Sequence, residues 1–435
     1  MTKLTTLLQK LKALLIKIPD LPSNPIKRGG ILFLFRALPD LDHMVPIAYK
    51  LSRQHPDMEV CFLCVEPYFQ FEKLDLTRYL RSELSIKVGR IHDYSRPTFL
   101  HYFIFYVLKL FDSISRFGFG NRLISTNFFA IFYDERWMRF FLLSHDFSRI
   151  VVDRLATRKH KYHYRLVLPV AHELSIIVVS VPHSAPVIKE QIDTNSERAL
   201  SRNLPERYHW IDRYIVTAEV ELNHYLLCGL KPENLFIAGN PRYSKEWISI
   251  FEHYLREQYS TSDSEKSKIL LVEPAHGTLK IDLYKTLLCA LSSMEDVTVT
   301  VLPKPRFYKS LLNYRKFGFD VQKPNRSSSY YVQWCDIVIS DRSSLIWECL
   351  IRRKAVIQAA VLSEYRDSST TLFGEENICY QANSVDEIIV TIKGIISNVV
   401  ERPNQDNVES LINKLLNANN DPELVLKRYV DILLN

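Results

Sequence analysis

Two adjacent serines follow a short apolar segment in the stretch ISDRSSLIWE, residues 339–348. The preceding residues predict a buried strand, and Asp341 is the predicted N-cap of the helix that follows. Ser343 and Ser344 would then lie in the first helical turn, where free backbone N–H groups and two hydroxyls converge. Such a position favours an anion, and phosphate is the usual one.

Glu348 follows Ser344 by one helical turn and lies on the same face of the predicted helix. A carboxylate there is suited to bind a ribose hydroxyl or to orient the serines. The alternative is an i,i+4 salt bridge with Arg352, and the spacing does not choose between the two interpretations.

Two other predicted strand ends carry residue types that bind phosphate. The strand KILLVEP is followed by His276, Gly277 and Thr278, where a histidine donates to a phosphate, protonates a leaving oxygen or simply caps a loop. The strand VTVTVLP is followed by Lys304 and Arg306, two cations suited to phosphate or carboxylate, or to a solvated basic loop. Together with the serines, these strand ends predict a pocket for a nucleotide monophosphate or diphosphate.

Strand patterns alternate with helical patterns along the chain, which predicts parallel sheets covered by helices. The first half contains the predicted strands ILFLFRA, MEVCFLCV, RIVVDR, LSIIVVSVP, RYIVTA and LFIAG, and the second contains KILLVEP, VTVTVLP, DIVIS and KAVIQ. We therefore predict an α/β protein of two doubly wound domains, with ligands at the carboxyl ends of the strands. The predicted divisions are a basic amphipathic helix at 1–30, a Rossmann-like domain at 31–260, and a second one at 268–435 that ends in closing helices.

The composition is that of a globular protein, with 47% hydrophobic and 24% charged residues. The chain has 11 glycines and neither a G-x-G-x-x-G nor a Walker-type loop, so phosphate must be held by helix ends and side chains. Seven scattered cysteines form no disulfide framework and indicate a reducing cytoplasm. Cys61 and Cys64 lie within a strand pattern, which favours strand packing over zinc.

Positive charge is concentrated in the N-terminal part of the chain. Residues 1–30 contain six Lys or Arg against one Asp, and residues 97–165 contain eleven against five Asp or Glu. Residues 1–20 form an amphipathic pattern too short and charged to span a bilayer; it either lies on an anionic membrane surface or packs on its own domain. The aromatic segment 97–165 either wraps a core or faces a membrane or acceptor. No nucleic-acid-binding module accompanies it, so nucleic acid is not an expected partner.

The order of the segments around these residues resembles GT-B fold enzymes of bacterial surface-polysaccharide synthesis. The resemblance extends over residues 30–395 and rests on ALPDLDHMVPIAYKL, VSVPHS, DRYIVTAEVELNHYLLCGLKPENLFIAGNPRYSKEW, ILLVEPAHGT, VLPKPRF and ISDRSSLIWECLIRRKAVI. The C-terminal half is similar to CDP-glycerol glycerophosphotransferases and to CMP-sugar-using transferases, including Kdo and sialic acid transferases. In those families paired serines bind the donor phosphate, which implies the same role for Ser343 and Ser344.

One segment departs from the pattern of these families. They have histidine-proline where this chain has Lys304-Pro305-Arg306, so either a cation of this segment or His276 must neutralise the phosphate. No D-x-D-like pair stands out at a strand end. The resemblance therefore implies the metal-independent chemistry of GT-B enzymes, with no metal and no cofactor.

The acceptor side offers several candidate groups after the strands of the first half. An inverting transferase needs a base for the acceptor hydroxyl, and the candidates are His183, Asp40 and Asp42. A retaining double displacement would instead need a carboxylate nucleophile, for which spacing leaves four candidates: Asp40, Asp42, Glu173 and Glu273. Asn240 and Arg242 follow LFIAG, where they either bind an acceptor anion or form a turn.

The resemblance implies an enzyme, a glycosyltransferase that moves a sugar from a nucleotide-activated donor onto a lipid-linked or growing surface glycan such as capsule or O-antigen. A cytidine-linked donor is favoured over a UDP-linked one. The expected location is the cytoplasm, peripheral on the inner face of a bacterial plasma membrane. Three alternatives stay open: a CDP-glycerol or alditol glycerophosphotransferase, a sugar-nucleotide epimerase, and a non-catalytic glycan-binding relative.

Overall fold

The structure is a computed structural model that describes residues 29–66, 69–90, 135–153, 162–183, 185, 210–259, 265–274, 279–303, 313–323, 325–364, 373, 378–417 and 424–435. It contains two parallel β-sheets, one in each half of the chain, with helices on both faces of each sheet. The alternating sequence pattern predicted this α/β architecture. Most of the expected helix at 1–30 and most of segment 97–165 lie outside the described residues.

The first sheet consists of seven strands: β1 Gly30–Phe35, β2 Val60–Cys64, β3 Lys87–Arg90, β4 Phe147–Asp153, β5 Ile177–Val181, β6 Arg213–Val216 and β7 Leu235–Ile237. Their order is β3-β2-β1-β4-β5-β6-β7, and all pairings are parallel. Every residue of β1 is buried, because helices cover both faces of the sheet. The chain order reverses between β1 and β4, and doubly wound sheets bind ligands at such a point.

The helices of the first half are α1 Leu38–Gln54, α2 Asp75–Ser82, α3 Glu135–Ser144, α4 Tyr162–Glu173, α5 Glu219–Leu227 and α6 Lys245–Gln258. One core of the sheet includes buried residues of α1, α2 and α6, and the other includes those of α3, α4 and α5. The two cores lie on opposite faces because successive residues of a strand point to opposite sides.

The second sheet consists of β8 Ser267–Val272, β9 Val297–Leu302, β10 Asp320–Val321, β11 Ile337–Ser340, β12 Ala355–Gln358 and β13 Tyr380–Gln381, in the order β10-β9-β8-β11-β12-β13. Its helices are α7 Ile281–Ser292, α8 Ser328–Trp334, α9 Leu345–Ile351, α10 Val385–Ile396 and α11 Gln405–Leu416. Buried residues of α8, α9 and α11 form one core, and those of α7 and α10 form the other.

All ten strands predicted from the sequence are present. The sequence did not predict β3, β10 and β13, which are short strands at the edges of the two sheets and carry little apolar pattern. Cys61 and Cys64 are buried within β2, as the strand-packing interpretation predicted, and the seven cysteines form no disulfide.

The last helix, α12 Val425–Leu434, packs on the first sheet although it lies at the end of the chain. The hydroxyl of Tyr429 donates to the carbonyl of Gly239 at 2.8 Å, and Arg149 Nε donates to the carbonyl of Leu433 at 2.7 Å. The sequence-based division placed this helix with the second half. An apolar helical stripe predicts burial but does not reveal which of two sheets the helix will cover.

Helix α9 begins four residues later than the cap residue expected from the sequence. It starts at Leu345 with Ser344 as its N-cap, and Asp341 does not cap it. The Asp341 carboxylate instead accepts a hydrogen bond from Ser363 Oγ at 2.5 Å, after the next strand. Ser343 and Ser344 therefore lie at the junction of loop and helix, and the Ser343 hydroxyl accepts from the backbone N–H of Leu345 at 3.3 Å.

Candidate functional site

Four polar side chains meet at the carboxyl ends of three adjacent strands of the first sheet. Arg36 follows β1, Asp153 is the last residue of β4, and His183 lies two residues after β5. Asp40 joins them from the first turn of α1, the helix that follows β1. We refer to these four residues as the His183 cluster. Strand adjacency brings them together although Arg36 and Asp153 are 117 residues apart.

Asp153 and His183 form a hydrogen-bonded pair. Nδ1 of His183 lies 3.0 Å from both carboxylate oxygens of Asp153, and Arg36 Nη2 donates to Asp153 Oδ2 at 2.9 Å. Burial raises the pKa of Asp153, but the hydrogen bond and electrostatic contact with His183 and the Arg36 guanidinium outweigh burial and lower the pKa to about 2. An ionised Asp153 accepts the proton on Nδ1 and leaves Nε2 as the basic nitrogen of a side chain that is 18% exposed.

Asp40 is the second buried carboxyl of the cluster. Its Oδ2 accepts the backbone N–H of Arg36 at 2.8 Å, and its Oδ1 lies 4.0 Å from His183 Nδ1. Burial and then the neighbouring Asp153 charge raise the pKa of Asp40 well above its ordinary value, against the opposing effect of Arg36. The two carboxyls of the cluster are therefore different in kind, since one is held ionised and the other is driven towards its neutral form.

The ligand atoms of Asp40, Asp153 and His183 lie within 4.8 Å of one another, the spacing of a metal site, and this is the one such group among the described residues. The donor set does not fit a metal, because the guanidinium of Arg36 already contacts both carboxyls: Nη2 lies 2.9 Å from Asp153 and Nε 3.4 Å from Asp40. Arg36 supplies the cationic partner that a divalent ion would otherwise provide. We therefore assign no metal to this cluster.

Arg242 connects the two halves of the molecule. Its guanidinium donates to Asp42 on α1 at 3.0 Å and to Ser328 on α8 at 3.3 Å, and it lies 3.6 Å from Glu348 on α9. Glu348 also pairs with Arg352 at 3.4 Å, which is the i,i+4 salt bridge of one sequence interpretation. Asp42, Arg242, Glu348 and Arg352 are referred to below as the junction network.

Charge and burial oppose each other within the junction network. Burial raises the pKa of Asp42 to about 6, although Arg242 lowers it, and the Glu348 charge raises it further. Asp42 is still ionised at neutral pH, so the Asp42–Arg242 contact is an ion pair there. The side chains of Asp42 and Arg242 are 12% and 13% exposed. A pair so nearly buried is expensive to break, because one charge would remain without a partner.

The expected phosphate-binding serines lie next to this network. The hydroxyl of Tyr243 donates to the backbone carbonyl of Ser344 at 2.8 Å, and the Arg242 guanidinium lies 5.3 Å from the centre of the Tyr243 ring. Residues of the first half thus fix the position of the loop that carries Ser343 and Ser344. Both serines are partly exposed.

Asn240 forms the turn that delivers Arg242 to the junction. Its Oδ1 accepts the backbone N–H of Arg242 at 3.2 Å, and its own N–H donates to the carbonyl of Leu416 at 2.7 Å. A 3₁₀ turn, Pro241–Tyr243, follows. Asn240 therefore forms a turn and Arg242 has two carboxylate partners, while the predicted acceptor contacts of both residues stay predictions.

Other predicted residues lie elsewhere or are not described. His276, Gly277, Thr278, Lys304 and Arg306 lie outside the described residues, so their predicted phosphate contacts stay predictions. Two further carboxylates named as possible nucleophiles have their own partners, which are Arg139 for Glu173 and the Tyr314 hydroxyl for Glu273.

Sequence reasoning missed Arg36 and Asp153. Both lie at the ends of correctly predicted strands, ILFLFRA and RIVVDR, and share the signal that singled out His183: a polar side chain directly after a buried apolar run. Only the strand order shows that the three ends are neighbours. Without that order, a histidine and an aspartate 30 residues apart have no visible relation.

No protein-family model matches the chain, and no curated protein matches it in sequence. Solved structures do match its fold. The UDP-GlcNAc 2-epimerase from Neisseria meningitidis, bound to UDP-GlcNAc, is 14% identical with a TM-score of 0.52, and the match covers 92% of this chain and 100% of that chain. The UDP-GlcNAc 2-epimerase from Methanocaldococcus jannaschii is 15% identical with a TM-score of 0.56, over 93% and 98% of the two chains. The wall teichoic acid polymerase TagF, soaked with CDPG, is 11% identical with a TM-score of 0.58, over 99% and 93%.

The two-sheet arrangement and these similarities define the class of fold. The chain has the GT-B fold, in which two Rossmann-like domains each contribute the carboxyl ends of a parallel sheet. This confirms the fold expected from the order of its sequence segments. At 10–15% identity the likeness concerns the fold, and the chemistry must be argued from the residues.

Proposed function

We propose that the protein is a nucleotide-sugar-dependent glycosyltransferase of the GT-B type. The observation that carries the proposal is the Asp153–His183 pair at the carboxyl ends of β4 and β5. A histidine whose Nδ1 is bound by an ionised aspartate, and whose side chain is partly exposed, has the arrangement of a general base. Such a base is what the acceptor hydroxyl of a transfer reaction needs.

In the proposed reaction, Nε2 of His183 takes the proton of the acceptor hydroxyl as its oxygen attacks the anomeric carbon of the donor sugar. The bond from that carbon to the nucleotide phosphate oxygen breaks, and the electron pair leaves with the phosphate. Asp153 stabilises the imidazolium that forms. We assign Asp40 and Arg36 to the support of this pair, and Asp42 to the junction network rather than to proton transfer.

Donor binding is assigned to the second half of the chain. We propose that Ser343 and Ser344 contact the donor phosphate from the loop that Tyr243 anchors. We also propose that the leaving phosphate is neutralised by two further segments. These are the segment with His276, Gly277 and Thr278 and the segment with the cations Lys304 and Arg306. Charge neutralisation by side chains agrees with metal-independent transfer.

The proposed donor is cytidine-linked, and the proposed acceptor is a lipid-linked or growing bacterial surface glycan. Both rest on the sequence resemblance. Peripheral attachment to an anionic membrane through residues 1–20 and 97–165 belongs to the same proposal, with an expected location on the cytoplasmic face. Within the part of the chain that the structure describes, no helix combines the length and apolar character of a bilayer-spanning segment.

Glycerophosphotransfer from a CDP-linked donor is the second candidate. The likeness to the TagF polymerase favours it, since that match spans 99% of this chain. The same base would serve, but the bond that breaks would join phosphorus to oxygen. The likeness to two UDP-GlcNAc 2-epimerases favours a third candidate, epimerisation of a sugar nucleotide without an acceptor.

A thermal-shift panel of CMP, CDP, UDP, GDP and ADP tests donor binding. One nucleotide should raise Tm in the wild-type protein, and the Ser343→Ala/Ser344→Ala double variant should lose that shift. The matched control is Ser292→Ala/Ser293→Ala, an adjacent pair of exposed serines at the end of α7, which should keep it. Equal shifts in both double variants would exclude the serine site.

Product analysis then separates the reactions. A glycoside formed from the matching nucleotide sugar supports glycosyl transfer, while phosphate within the new linkage identifies glycerophosphotransfer. Conversion of a sugar nucleotide to its epimer without acceptor identifies an epimerase.

His183→Ala should lower turnover by about 10²-fold or more, as expected for loss of a general base, and the exposed His253→Ala should not. Equal turnover in all three proteins would contradict the role of His183.

A further inference from the structure

The carboxyl of Asp40 is buried, and its neighbours do not provide the hydrogen-bond donors that an ionised carboxylate needs. Its side chain has no exposed surface, and no N–H or O–H of the described residues donates to Oδ1. The group that faces it is another carboxyl, that of Asp153, with an oxygen within 4.8 Å of an oxygen of Asp40. A buried carboxylate oxygen without a donor is costly, so this contact requires an explanation.

Two ionised carboxylates cannot hydrogen-bond to each other, because both groups are then acceptors only. A hydrogen bond between them requires one proton, carried by one of the two. The charges around Asp40 also indicate that one proton is shared. Asp153 at the end of β4 and His183 after β5 face Asp40, and Arg36 is the cation in contact with both carboxyls. One guanidinium balances only one of two carboxylates. On α1 itself, Asp42 is bound by Arg242.

The neighbouring histidine on α1 adds no compensating charge. His43 is buried and its Nδ1 lies 2.8 Å from the carbonyl of Pro39. Burial, and then the charge of Arg242, lower the pKa of His43 to about 3, so its ring is neutral at physiological pH. His43 therefore supplies no proton to the cluster, and His183, 4.0 Å from Asp40 Oδ1, directs its Nδ1 to Asp153 instead.

The hydrogen bonds show which carboxyl carries the proton. Asp153 receives donors from both Arg36 and His183, an arrangement that favours its ionised form. Asp40 receives the backbone N–H of Arg36 on one oxygen and nothing from the described residues on the other. A proton on Oδ1 of Asp40 therefore gives this buried oxygen the hydrogen bond that it otherwise lacks.

We propose that Asp40 carries a proton in the resting protein and donates it to Asp153, which makes Asp40 a positioning residue for His183. This hydrogen bond fixes the Asp153 carboxylate with its oxygens towards Nδ1 of His183. It also leaves one negative charge against the one guanidinium of the cluster. The role in orienting a base rests on the proposed function, whereas the protonation of Asp40 does not. The raised pKa of Asp40 agrees with this assignment.

The carboxyl state can be measured on the wild-type chain without any substrate. Aspartate labelled with carbon-13 at the carboxyl group should give one resonance that stays at the position of a protonated acid at pH 7, and Asp40→Asn should remove it. Asp153→Asn should remove a different resonance, which stays at the ionised position down to about pH 3. An Asp40 resonance that reports an ionised carboxylate at pH 7 would overturn the proposal.

The positioning role has its own spectroscopic readout, the ring N–H proton signal of His183 Nδ1, assigned with His183→Asn. Asp40→Asn keeps a neutral donor of the same shape and should retain the signal, while Asp40→Ala should broaden or lose it. The exposed Asp282→Ala is the matched control and should leave the signal unchanged. Retention in Asp40→Ala would refute the positioning role. Neither measurement uses activity, so both remain interpretable if the proposed transfer reaction is not found. An active transferase with an ionised Asp40 would refute the protonation of Asp40 and leave the proposed function in place.

Discussion

The partner of Nδ1 decides whether a histidine at a strand end can work as a base. His183 has Asp153 at 3.0 Å, and Asp153 has Arg36 as a second donor. This arrangement fixes the tautomer with the proton on Nδ1 and keeps the carboxylate ionised. The general-base assignment therefore depends on Asp153 and Arg36 as well as on the histidine itself.

Replacing Asp153 with asparagine tests that dependence. We expect Asp153→Asn to keep the fold but lower turnover by about 10²–10⁴-fold, because the amide can stabilise the wrong tautomer and cannot stabilise the imidazolium. Turnover of the substrate found by the nucleotide panel is the measurement, with the exposed Asp282→Asn as control. A variant with wild-type turnover would show that His183 acts without Asp153.

Asp42 gives a prediction about pH and stability. Its pKa rises from 3.8 to about 6 on folding, so the folded chain binds this proton more tightly than the unfolded chain. The stabilisation that it contributes is complete below pH 3.8 and is lost as the pH rises through 6. The charges facing it are those of Arg242 and Glu348, with His43 next to it on α1.

Urea unfolding of the wild type and of Asp42→Asn at several pH values between 4 and 7 measures this effect. The free energy of unfolding of the wild type, relative to the variant, should fall by up to about 3 kcal/mol over that range, since each unit of pKa shift corresponds to about 1.4 kcal/mol. A relative stability that instead increases with pH would mean that Arg242 outweighs burial at Asp42.

At the level of elements, the connection from β7 to the turn at Asn240 depends on one glycine. Gly239 has φ of +85°, and a Cβ there would lie 2.7 Å from the carbonyl oxygen of Leu416 and 3.0 Å from Val425. The backbone of the first half therefore touches both α11 and α12 at this point. Only a residue without a side chain permits that approach.

Gly239→Ala should lower the free energy of unfolding by about 2 kcal/mol or more, because a left-handed backbone and a steric clash act together. Gly318→Ala is the matched control, since Gly318 has φ of +76° but open space around the Cβ position. It should cost about 1 kcal/mol from backbone strain alone. Equal losses in the two variants would mean that the chain relaxes around Leu416.

For the whole molecule, the junction network ties the two sheets together through Arg242. Its contacts with Asp42, Ser328 and Glu348 join α1 of the first half to α8 and α9 of the second. Arg242 thus contacts α1, the helix that carries Asp40 of the His183 cluster, and α9, the helix that follows the serine loop. Their relative position depends on a side chain that belongs to neither.

Arg242→Gln should lower the free energy of unfolding by about 3–5 kcal/mol, because two nearly buried carboxylates lose their shared cation. Adding Asp42→Asn should recover part of the loss by removing one of those charges. The control Arg256→Gln removes an exposed ion pair with Glu252 and should cost less than about 1 kcal/mol. No recovery in the double variant would show that Arg242 contributes through packing rather than charge.

The sequence by itself determined ten of the strands, the two α/β halves and several of the residues at strand ends, because apolar runs and helical periodicity are local properties of the chain. It singled out His183, Asp40 and Asp42 for the same reason. Tertiary structure alone decided that Arg36 and Asp153 complete the His183 cluster, that Asp42 faces Arg242, and that α12 covers the first sheet. Those outcomes follow from strand order and from the packing of distant segments, and neither is encoded in the spacing of neighbouring residues.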